Sequence, residues 1–315
     1  MCRSRPRPPA RAVPPMSGDC DPLTSDREAA IDAGATARTA TAGAHWHMLY
    51  ASVRGAAHRR NGLPNQDAVR ISRTGPGLVL ALADGHGSAT SFRSQQGARL
   101  AVAVALQVAA RWPELPTASH HKRRAEDDWP KELVRGWQAV VDARLGRRPF
   151  TAAELHPLEP SARQRLERNP RLAWGSTLLS VILTPSSILY LQLGDGDLLV
   201  VDDNGQVNRP LPADPRLLGN ETTSLCAPEA WREARVYCQT LVAAPPALIL
   251  AATDGYANAF RDDAGFRQVA SDLWVMLRDE GQATVQAQLA GWLNETSAQG
   301  SGDDISVGIL WREAT

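Results

Sequence analysis

A run of six apolar residues that ends in an acidic residue and a glycine most constrains how this chain can fold. Residues 78–83 read Leu-Val-Leu-Ala-Leu-Ala, and Asp84, Gly85, His86 and Gly87 follow directly. Because the run is short and lies between two glycines, it is typical of a buried strand rather than of a helix. Such a strand carries the Asp84 carboxylate to the rim of a sheet, where the glycines leave room for backbone, solvent or a ligand.

The composition argues against several classes of protein. The 315 residues carry 34 basic and 34 acidic side chains, so no overall charge favours nucleic acid or an anionic membrane as a partner. No apolar run is long enough to cross a bilayer, and no signal-peptide core follows the basic N-terminus. The four cysteines form no CxxC pair, which favours a reducing cytoplasm. Cys226 and Cys238 are expected to be buried thiols, with a disulfide as the alternative.

The chain divides into a tail and one large domain. Residues 1–44 are rich in Pro, Ala, Arg and Thr and contain almost no large apolar residues, so we predict that they are disordered. The domain spans residues 45–315. Within it, residues 113–171 form a charged insert with an amphipathic helix predicted over 131–144. The basic run at 120–124 predicts a solvated loop, with a docking patch as the alternative.

Strand patterns dominate the domain on both sides of this insert. Strands are predicted at 47–53, 68–72, 78–83, 177–183, 188–193, 198–201, 207–209, 234–241, 248–252 and 305–311. Helices are predicted at 92–111, 255–260, 272–278 and 284–294. Consecutive strands followed by helices indicate an α+β fold with separate layers rather than alternating βαβ units.

Acidic residues beside glycine recur where the apolar runs begin or end. They are Asp84, Asp195, Asp197, Asp254, Asp303 and Asp304, with Asp67 of the sequence Asn-Gln-Asp as a further candidate. If the sheets bring these ends together, the carboxylates would raise one another's pKa values, and most could not stay ionised. A divalent cation removes that conflict, and oxygen ligands suit Mg²⁺ or Mn²⁺ rather than Zn²⁺. Two such ions could activate a bridging water and neutralise a phosphoryl group.

Each of these features also has a structural explanation on its own. An Asp-Gly pair is common in turns, and His86, although near enough to act as a general acid, would more often hold a structural hydrogen bond. The recurrence of the pattern at four strand edges favours a shared site. The sequence contains no Walker phosphate loop, no GxGxxG after a strand and no nucleophile elbow.

In this order, the motifs resemble those of the metal-dependent PP2C-type (PPM) protein Ser/Thr phosphatases, especially the compact bacterial branch, over about residues 46–311. The motifs are Asn65-Gln66-Asp67-Ala68, Ala83-Asp84-Gly85-His86-Gly87-Ser88, Gly175-Ser176-Thr177, Leu193-Gly194-Asp195, Ala252-Thr253-Asp254-Gly255 and Gly302-Asp303-Asp304-Ile305-Ser306-Val307. The resemblance implies a four-layer αββα sandwich, in which two central antiparallel β-sheets are flanked by helices. It also implies two Mg²⁺ or Mn²⁺ ions in a cleft at one end of the sandwich.

The resemblance further implies a role for each metal-site residue. Asp84 would bridge both metals, and the Gly85 carbonyl would bind one of them. Asp254 and Asp303 would complete one metal site, and Asp67 would hold a metal-bound water. A metal-bridging hydroxide would attack phosphorus in line, with no covalent enzyme intermediate.

The resemblance also implies a proton donor, and it leaves the phosphate-binding residue unmatched. His86 would donate a proton to the departing Ser or Thr alkoxide. Family members often carry a phosphate-binding Arg shortly before the motif that contains Asp67, and here His58, Arg59 or Arg60 could reach the phosphate.

A third, looser metal site and a substrate flap are the remaining features that the family implies. Asp195 fits one ligand of the third site, but Asn258 stands where a second Asp is usual, and a neutral amide should weaken that site. Residues 214–238 include the position of the variable flap beside the active site, with plain surface loop as the alternative.

These features predict a cytoplasmic, monomeric phosphatase that hydrolyses phosphoserine and phosphothreonine in proteins and opposes a Ser/Thr kinase in bacterial signalling. One alternative is a non-catalytic pseudophosphatase that binds phosphoproteins, suggested by the unmatched phosphate-binding Arg and the long insert. The other is a phosphatase for small molecules, because a metal centre alone does not select the substrate.

Overall fold

Two antiparallel β-sheets packed face to face form the centre of the computed structural model. The structure describes residues 39–41, 44–74, 77–112, 115, 117–212, 214, 216, 222–241 and 245–313. The strands of this part of the chain are Thr39–Thr41 (β1), Ala44–Val53 (β2), Ala68–Thr74 (β3), Gly77–Ala83 (β4), Leu178–Leu183 (β5), Ser187–Leu193 (β6), Asp197–Val201 (β7), Val207–Asn208 (β8), Arg235–Thr240 (β9), Leu248–Ala252 (β10) and Ile305–Arg312 (β11). One sheet has the order β1-β2-β11-β10-β7-β8, and the other has the order β3-β4-β5-β6-β9.

Helices cover the outer faces of both sheets. They are Ala56–Arg60 (α1), Ser94–Ala110 (α2), Ala118–Asp127 (α3), Trp129–Arg147 (α4), Ala152–Leu155 (α5), Pro160–Arg168 (α6), Asp254–Ala257 (α7), Asp263–Asp279 (α8) and Gln282–Gln299 (α9). Short 3-10 turns occupy Ala89–Ser91, Pro170–Trp174 and Ala230–Arg232. No helix of the described residues is long and apolar enough to cross a membrane.

Three separate hydrophobic cores establish the order of the layers. Leu80 of β4 and Ile249 of β10 belong to the core between the two sheets. The alternate residue Val79 belongs to the core under α2 and α4, and Leu250 to the core under α8 and α9. Because both faces of β4 and β10 are buried, their sequences are uninterrupted apolar runs. Three cores between four layers confirm the predicted four-layer αββα sandwich of class α+β.

The two sheets approach each other closely at a glycine of β11. A Cβ at Gly308 would lie 2.3 Å from Leu80 Cδ1 on the facing sheet. That distance is far inside van der Waals contact, so a larger residue there requires Leu80 or the facing sheet to shift. β11 itself lies in the middle of its sheet, between β2 and β10.

The strand predictions agree well with the structure, and the predicted tail boundary does not. All ten predicted strands are present, with bounds that differ by a few residues. β1 was not predicted, because the antiparallel backbone pairing of Thr39–Thr41 with β2, and not a pattern of apolar residues, creates it. Hydrogen-bonded structure therefore begins before residue 45. Residues 1–38 and 42–43 of the predicted tail lie outside the described residues.

The insert is more ordered than its charge suggested. The amphipathic helix predicted at 131–144 is α4, but the basic run at 120–124 lies in α3 and not in a solvated loop. The reason is that His121 and Ala125, four residues apart, form a buried face while the charged residues face solvent. His121 Nδ1 accepts a hydrogen bond of 3.0 Å from Trp112 Nε1.

Two further expectations concern residues 214–238 and the cysteines. The flap-like region is shorter than the predicted range 214–238, because residues from Arg235 onwards pair with β6 as strand β9. Cys226 and Cys238 are both buried free thiols, as expected, and burial raises the pKa of each.

Candidate active site

The antiparallel pairing of the strands brings the predicted acidic residues to one end of the sandwich. The start of β3 lies opposite the end of β4, so Asp67, just before β3, is next to Asp84, just after β4. In the other sheet, the end of β10 lies opposite the start of β11. Asp254 and Asp303 follow and precede those two strands. Each sheet therefore carries two of these carboxylates at the ends of paired strands.

The electrostatics of Asp84 and Asp254 show that the carboxylates of the two sheets act on one another. Burial raises the pKa of Asp84 well above its ordinary value, and the charges of Asp67 and Asp254 raise it further. The charge of Asp303 acts in the same direction. Burial, followed by the charge of Asp195, raises the pKa of Asp254 to about 6. The structure thus brings together Asp67, Asp84, Asp195, Asp254 and Asp303.

Asp67 is the most deeply buried of the five and lacks a partner on one oxygen. It is 6% exposed, and burial together with the charge of Asp304 raises its pKa. Thr253 Oγ1 donates a hydrogen bond of 2.8 Å to Asp67 Oδ2 and accepts one of 2.9 Å from the Ser306 amide. Asp67 Oδ1 is buried with no hydrogen-bond partner among the described residues. An unpaired buried carboxylate oxygen suits a donor that the chain does not supply, such as an ordered water.

The backbone around Asp84 is held by the motif that follows the insert. The Asp84 amide donates to Thr177 Oγ1 at 3.0 Å, and the Thr177 amide donates to the Asp84 carbonyl at 2.9 Å. A Cβ on Gly85 would lie 2.7 Å from the Ser94 carbonyl oxygen and 2.8 Å from that of Gln66. Glycine is therefore required at position 85 by the close approach of two other segments.

His86 lies beside the acidic cluster and is fixed from the opposite side. Its amide donates a hydrogen bond of 3.0 Å to the Gly175 carbonyl. Burial lowers the pKa of the His86 imidazole, and the negative charge of Asp195 opposes that effect. Because Asp195 also acts on Asp254, the imidazole and the carboxylates face the same space.

Of the three candidates for binding phosphate, one reaches the cluster. His58 Nδ1 lies 2.8 Å from Asp304 Oδ2, and His58 Nε2 lies 3.8 Å from Asp303 Oδ1. Arg59 instead donates to the Arg54 carbonyl and, at 2.9 Å, to Asn294 Oδ1 of α9. Arg60 is exposed on the last turn of α1.

Asp304 is a site residue to which the sequence assigned no role. It is 3% exposed, and its oxygens accept hydrogen bonds from the Gly55 amide at 2.5 Å and the Gln66 amide at 2.6 Å. Its pKa is nevertheless raised by burial, against the effect of those bonds. Since side chains alternate along a strand, an Asp pair before β11 must place one carboxylate inward, and that pattern was the available signal.

Asn258, which stands where a second Asp of the third metal site is usual, contacts Asp254. Its Nδ2 donates a hydrogen bond of 3.0 Å to Asp254 Oδ2. The Asn258 amide therefore occupies a lone pair of Asp254 Oδ2 that an additional cation could otherwise use. Asp195 is close enough for its charge to raise the pKa of Asp254.

The arrangement fits a divalent cation. Several oxygen donors with raised pKa values share one edge, and their mutual repulsion is relieved when a positive charge binds between them. The unpaired Asp67 Oδ1 fits a water held between protein and cation. Asp84, Gly85, Asp254 and Asp303 are the residues that would hold the metals.

Comparisons with known proteins agree with this fold and site. A sequence model of the family described as "Protein phosphatase 2C" matches residues 54–294. No curated protein sequence matches the chain.

Solved structures share the architecture at low sequence identity. The serine/threonine phosphatase PstP/Ppp of Mycobacterium tuberculosis is 18% identical, with a TM-score of 0.53 over 85% of this chain and 99% of that chain. Stp1 from Staphylococcus aureus is 12% identical, with a TM-score of 0.54 over 85% and 95%. A catalytic domain of PstP solved with two manganese ions is 18% identical, with a TM-score of 0.50 over 85% and 99%. These likenesses confirm the fold, and the family match, which spans more than half of the chain, confirms the resemblance. The chain belongs to the protein phosphatase 2C family of protein Ser/Thr phosphatases.

Proposed function

We propose that this protein hydrolyses phosphoserine and phosphothreonine in proteins, with two Mg²⁺ or Mn²⁺ ions as cofactors. The observation that carries the proposal is the convergence of Asp84, Asp254 and Asp303 at one edge, with His86 beside them. The solved PstP domain with two manganese ions supports the choice of metal. The metals, when bound, would supply an activated water and neutralise charge on the phosphoryl group.

The residues of the chain divide the work around that centre. Asp84, Asp254 and Asp303 hold the metals, and the Gly85 carbonyl adds an oxygen ligand. Asp67, oriented by Thr253, accepts a hydrogen bond from water at its free oxygen. The hydrogen bond would hold the water in position for attack on phosphorus. No covalent enzyme intermediate would form.

His86 serves as the general acid for the leaving group. Its backbone is anchored to Gly175, so the imidazole keeps its place beside the carboxylates while the substrate binds. Because His86 donates a proton to the departing Ser or Thr oxygen, the product leaves as a neutral alcohol and not as a strongly basic alkoxide. Asp195 could contribute to a third metal site, but that site would be weak, because Asn258 offers no charge and already donates a hydrogen bond to Asp254.

We place the protein in the cytoplasm as a monomer, where it opposes a Ser/Thr kinase on a phosphoprotein substrate. A non-catalytic phosphoprotein scaffold would gain nothing from clustered carboxylates that repel one another and cost stability. Specificity for phosphoproteins over small phosphate esters would reside in the described flap residues near the site. One of them is Thr223, whose hydroxyl accepts a hydrogen bond of 2.8 Å from the Gly194 amide.

The test is hydrolysis of an aryl phosphate and of a phosphothreonine peptide with and without Mn²⁺. Wild-type protein should require Mn²⁺, and Asp84→Asn should lose at least about 100-fold in kcat, because a carboxylate that would hold the metals loses its charge. Asp127→Asn, an exposed change on α3, is the matched control and should behave as wild type. Equal activity of Asp84→Asn and wild type would refute the proposal. Phosphopeptide binding without metal and without turnover would favour the scaffold.

A further inference from the structure

We infer that His58 supplies a nitrogen ligand to the divalent cation held by Asp303, and that Asp304 orients the imidazole for this role. The inference rests on the proposed metal-dependent function. It gives a task to the one candidate among His58, Arg59 and Arg60 that the structure places against the acidic cluster.

The fold brings His58 to the cluster through a short helix. α1 follows directly after β2, and the Ala57 amide donates a hydrogen bond of 2.8 Å to the Gly302 carbonyl. That bond ties α1 to the loop that carries Asp303 and Asp304. His58 is partly buried, with 14% of its side chain exposed, so its ring is held rather than solvated.

The hydrogen bonds of Asp304 determine which ring nitrogen is free. Asp304 accepts the Gly55 and Gln66 amides, at 2.5 and 2.6 Å, so its carboxylate acts as an acceptor. An ionised Asp304 can only accept, so we assign the proton to His58 Nδ1, which lies 2.8 Å from Asp304 Oδ2. In the neutral ring, Nε2 keeps its lone pair. A histidine that donates one N–H to a carboxylate and binds metal through the other nitrogen is a recurrent arrangement in metal sites.

The distance between His58 Nε2 and Asp303 Oδ1 suits two ligands of one cation better than a hydrogen bond between the two side chains. Nε2 lies 3.8 Å from Asp303 Oδ1, which is too long for a hydrogen bond. Two ligands that each bind one ion at about 2.0–2.2 Å lie about 3–4.3 Å apart, and this separation falls in that range. Nε2 has no hydrogen-bond partner among the described residues, and Asp303 is 50% exposed, so a cation can enter between them.

A nitrogen ligand has a consequence for metal choice. Mg²⁺ prefers oxygen ligands, whereas imidazole suits Mn²⁺ less well than Co²⁺ or Zn²⁺ but better than it suits Mg²⁺. We therefore expect the wild-type protein to discriminate against Mg²⁺ more strongly than a variant that has only oxygen ligands.

The competing role for His58 is direct contact with the substrate phosphate. In that role Nε2 donates a hydrogen bond to a phosphate oxygen, so it must carry a proton, as Nδ1 does. Metal affinity would then not depend on the residue at position 58. The two roles differ in what a His58→Gln variant loses. Glutamine can still donate to Asp304, but it provides no ring nitrogen.

The experiment measures Mn²⁺ and Mg²⁺ binding by calorimetry, and nitrogen coupling to bound Mn²⁺ by electron spin-echo spectroscopy, on the full-length chain. Wild-type protein should show ¹⁴N coupling. His58→Gln should lose that coupling and about 10–100-fold in Mn²⁺ affinity, with a smaller loss for Mg²⁺. His156→Gln, an exposed histidine far along the insert, is the matched control and should retain both.

Several outcomes separate this inference from its competitors. Unchanged Mn²⁺ affinity and coupling in His58→Gln, with weaker inhibition by inorganic phosphate, would assign His58 to the phosphate and overturn the inference. If His58→Gln fails to fold, His86→Asn carries the test, because it removes the other imidazole at the cluster and should retain the coupling. Failure of the proposed function would look different, since wild-type protein would then show no Mn²⁺-dependent turnover at all.

Discussion

The carbonyl of Gly175 accepts the amide hydrogen of His86 at 3.0 Å, and a Cβ at position 175 would lie 2.5 Å from His86 Cδ2. The imidazole ring of His86 therefore packs directly against Gly175. A methyl group there must move the ring, because a contact of that length is strongly repulsive.

Gly175→Ala should therefore lower kcat by about 10–100-fold, since small displacements of a catalytic group carry penalties of that size. Metal affinity should change little, and turnover of an aryl phosphate at saturating Mn²⁺ measures the effect. Gly146→Ala is the matched control, because Gly146 lies exposed on α4 with no atom within 4 Å of the added Cβ. A Gly175→Ala enzyme with wild-type kcat would show that the position of His86 does not limit the reaction.

The metal-free protein should become less stable as pH rises. Asp254 has a pKa of about 6 in the folded protein, above its ordinary value of 3.8. A raised folded pKa means that the native state holds the proton more tightly, so this stabilisation is complete below about pH 4 and is lost as pH passes through about 6. We expect a lower Tm at about pH 7.5 than at about pH 5 in the presence of a chelator.

Divalent cations should reverse this loss. Binding to the native state alone adds about 2.7 kcal/mol at a concentration 100 times the Kd. Thermal unfolding with chelator and with Mn²⁺, at both pH values, measures the effect. Asp84→Asn removes one of the repelling charges, so it should raise the metal-free Tm at about pH 7.5 and reduce the response to Mn²⁺. A metal-free Tm that is the same at both pH values would contradict the prediction.

Arg93 and Glu154 connect the insert to the segment behind His86. Arg93 is 6% exposed and binds Glu154 through Nε at 2.7 Å and Nη2 at 2.8 Å. Its guanidinium carbon lies 4.8 Å from the centre of the Trp174 ring, next to Gly175. Lysine cannot reproduce the two parallel bonds, so Arg93→Lys should lower the free energy of unfolding by about 1–3 kcal/mol in urea denaturation.

This pair should also give the fold a characteristic acid sensitivity. The hydrogen bond from Arg93 lowers the pKa of Glu154 to about 2, from an ordinary value of 4.5. A lowered folded pKa contributes stability that is complete above about pH 4.5 and is lost as pH falls towards 2. Glu154→Gln should flatten the fall in unfolding free energy between about pH 5 and 3, and Glu167→Gln, exposed on α6, should leave it unchanged. Parallel pH profiles for wild type and Glu154→Gln would contradict the assignment.

Gly308 provides a test of the packing between the sheets. Gly308→Ala places a methyl group 2.3 Å from Leu80 Cδ1, and overpacking of this kind costs about 1–3 kcal/mol. Gly291→Ala, on the exposed side of α9 with open space around the new Cβ, should instead raise stability by about 0.5–1 kcal/mol. Chemical denaturation of both variants measures the difference. Equal stabilities of the two variants would contradict the prediction that the contact between Gly308 and Leu80 limits the packing of the sheets.

The layers and the acidic edge could be predicted because each depends on short stretches of sequence. β4 and β10 are buried on both faces, and their uninterrupted apolar runs predict that state directly. Asp84 and Asp254 follow these runs, so their place at a strand end was visible. Their actual proximity depends on strand order, which a family resemblance supplied and local patterns could not.

Contacts between distant segments account for what sequence could not reveal. The bond between His58 and Asp304 joins residues that are 246 positions apart, and nothing near His58 identifies its partner. Arg93 and Glu154 are 61 positions apart, and nothing in the sequence near either residue shows that the fold buries Arg93 and pairs it with Glu154. The helix α3 was missed because its charge outweighed the weak signal of two small or aromatic residues on one face.

The central position of β11 imposes an order on how the protein is made. During synthesis β2 and β10 leave the ribosome first, and each lacks its neighbour until the residues of β11 follow. A growing chain therefore holds two open strand edges, which are sites of aggregation, until that strand inserts between them. The same insertion brings in Asp303 and Asp304, so the acidic cluster is complete only once β11 has closed the sheet.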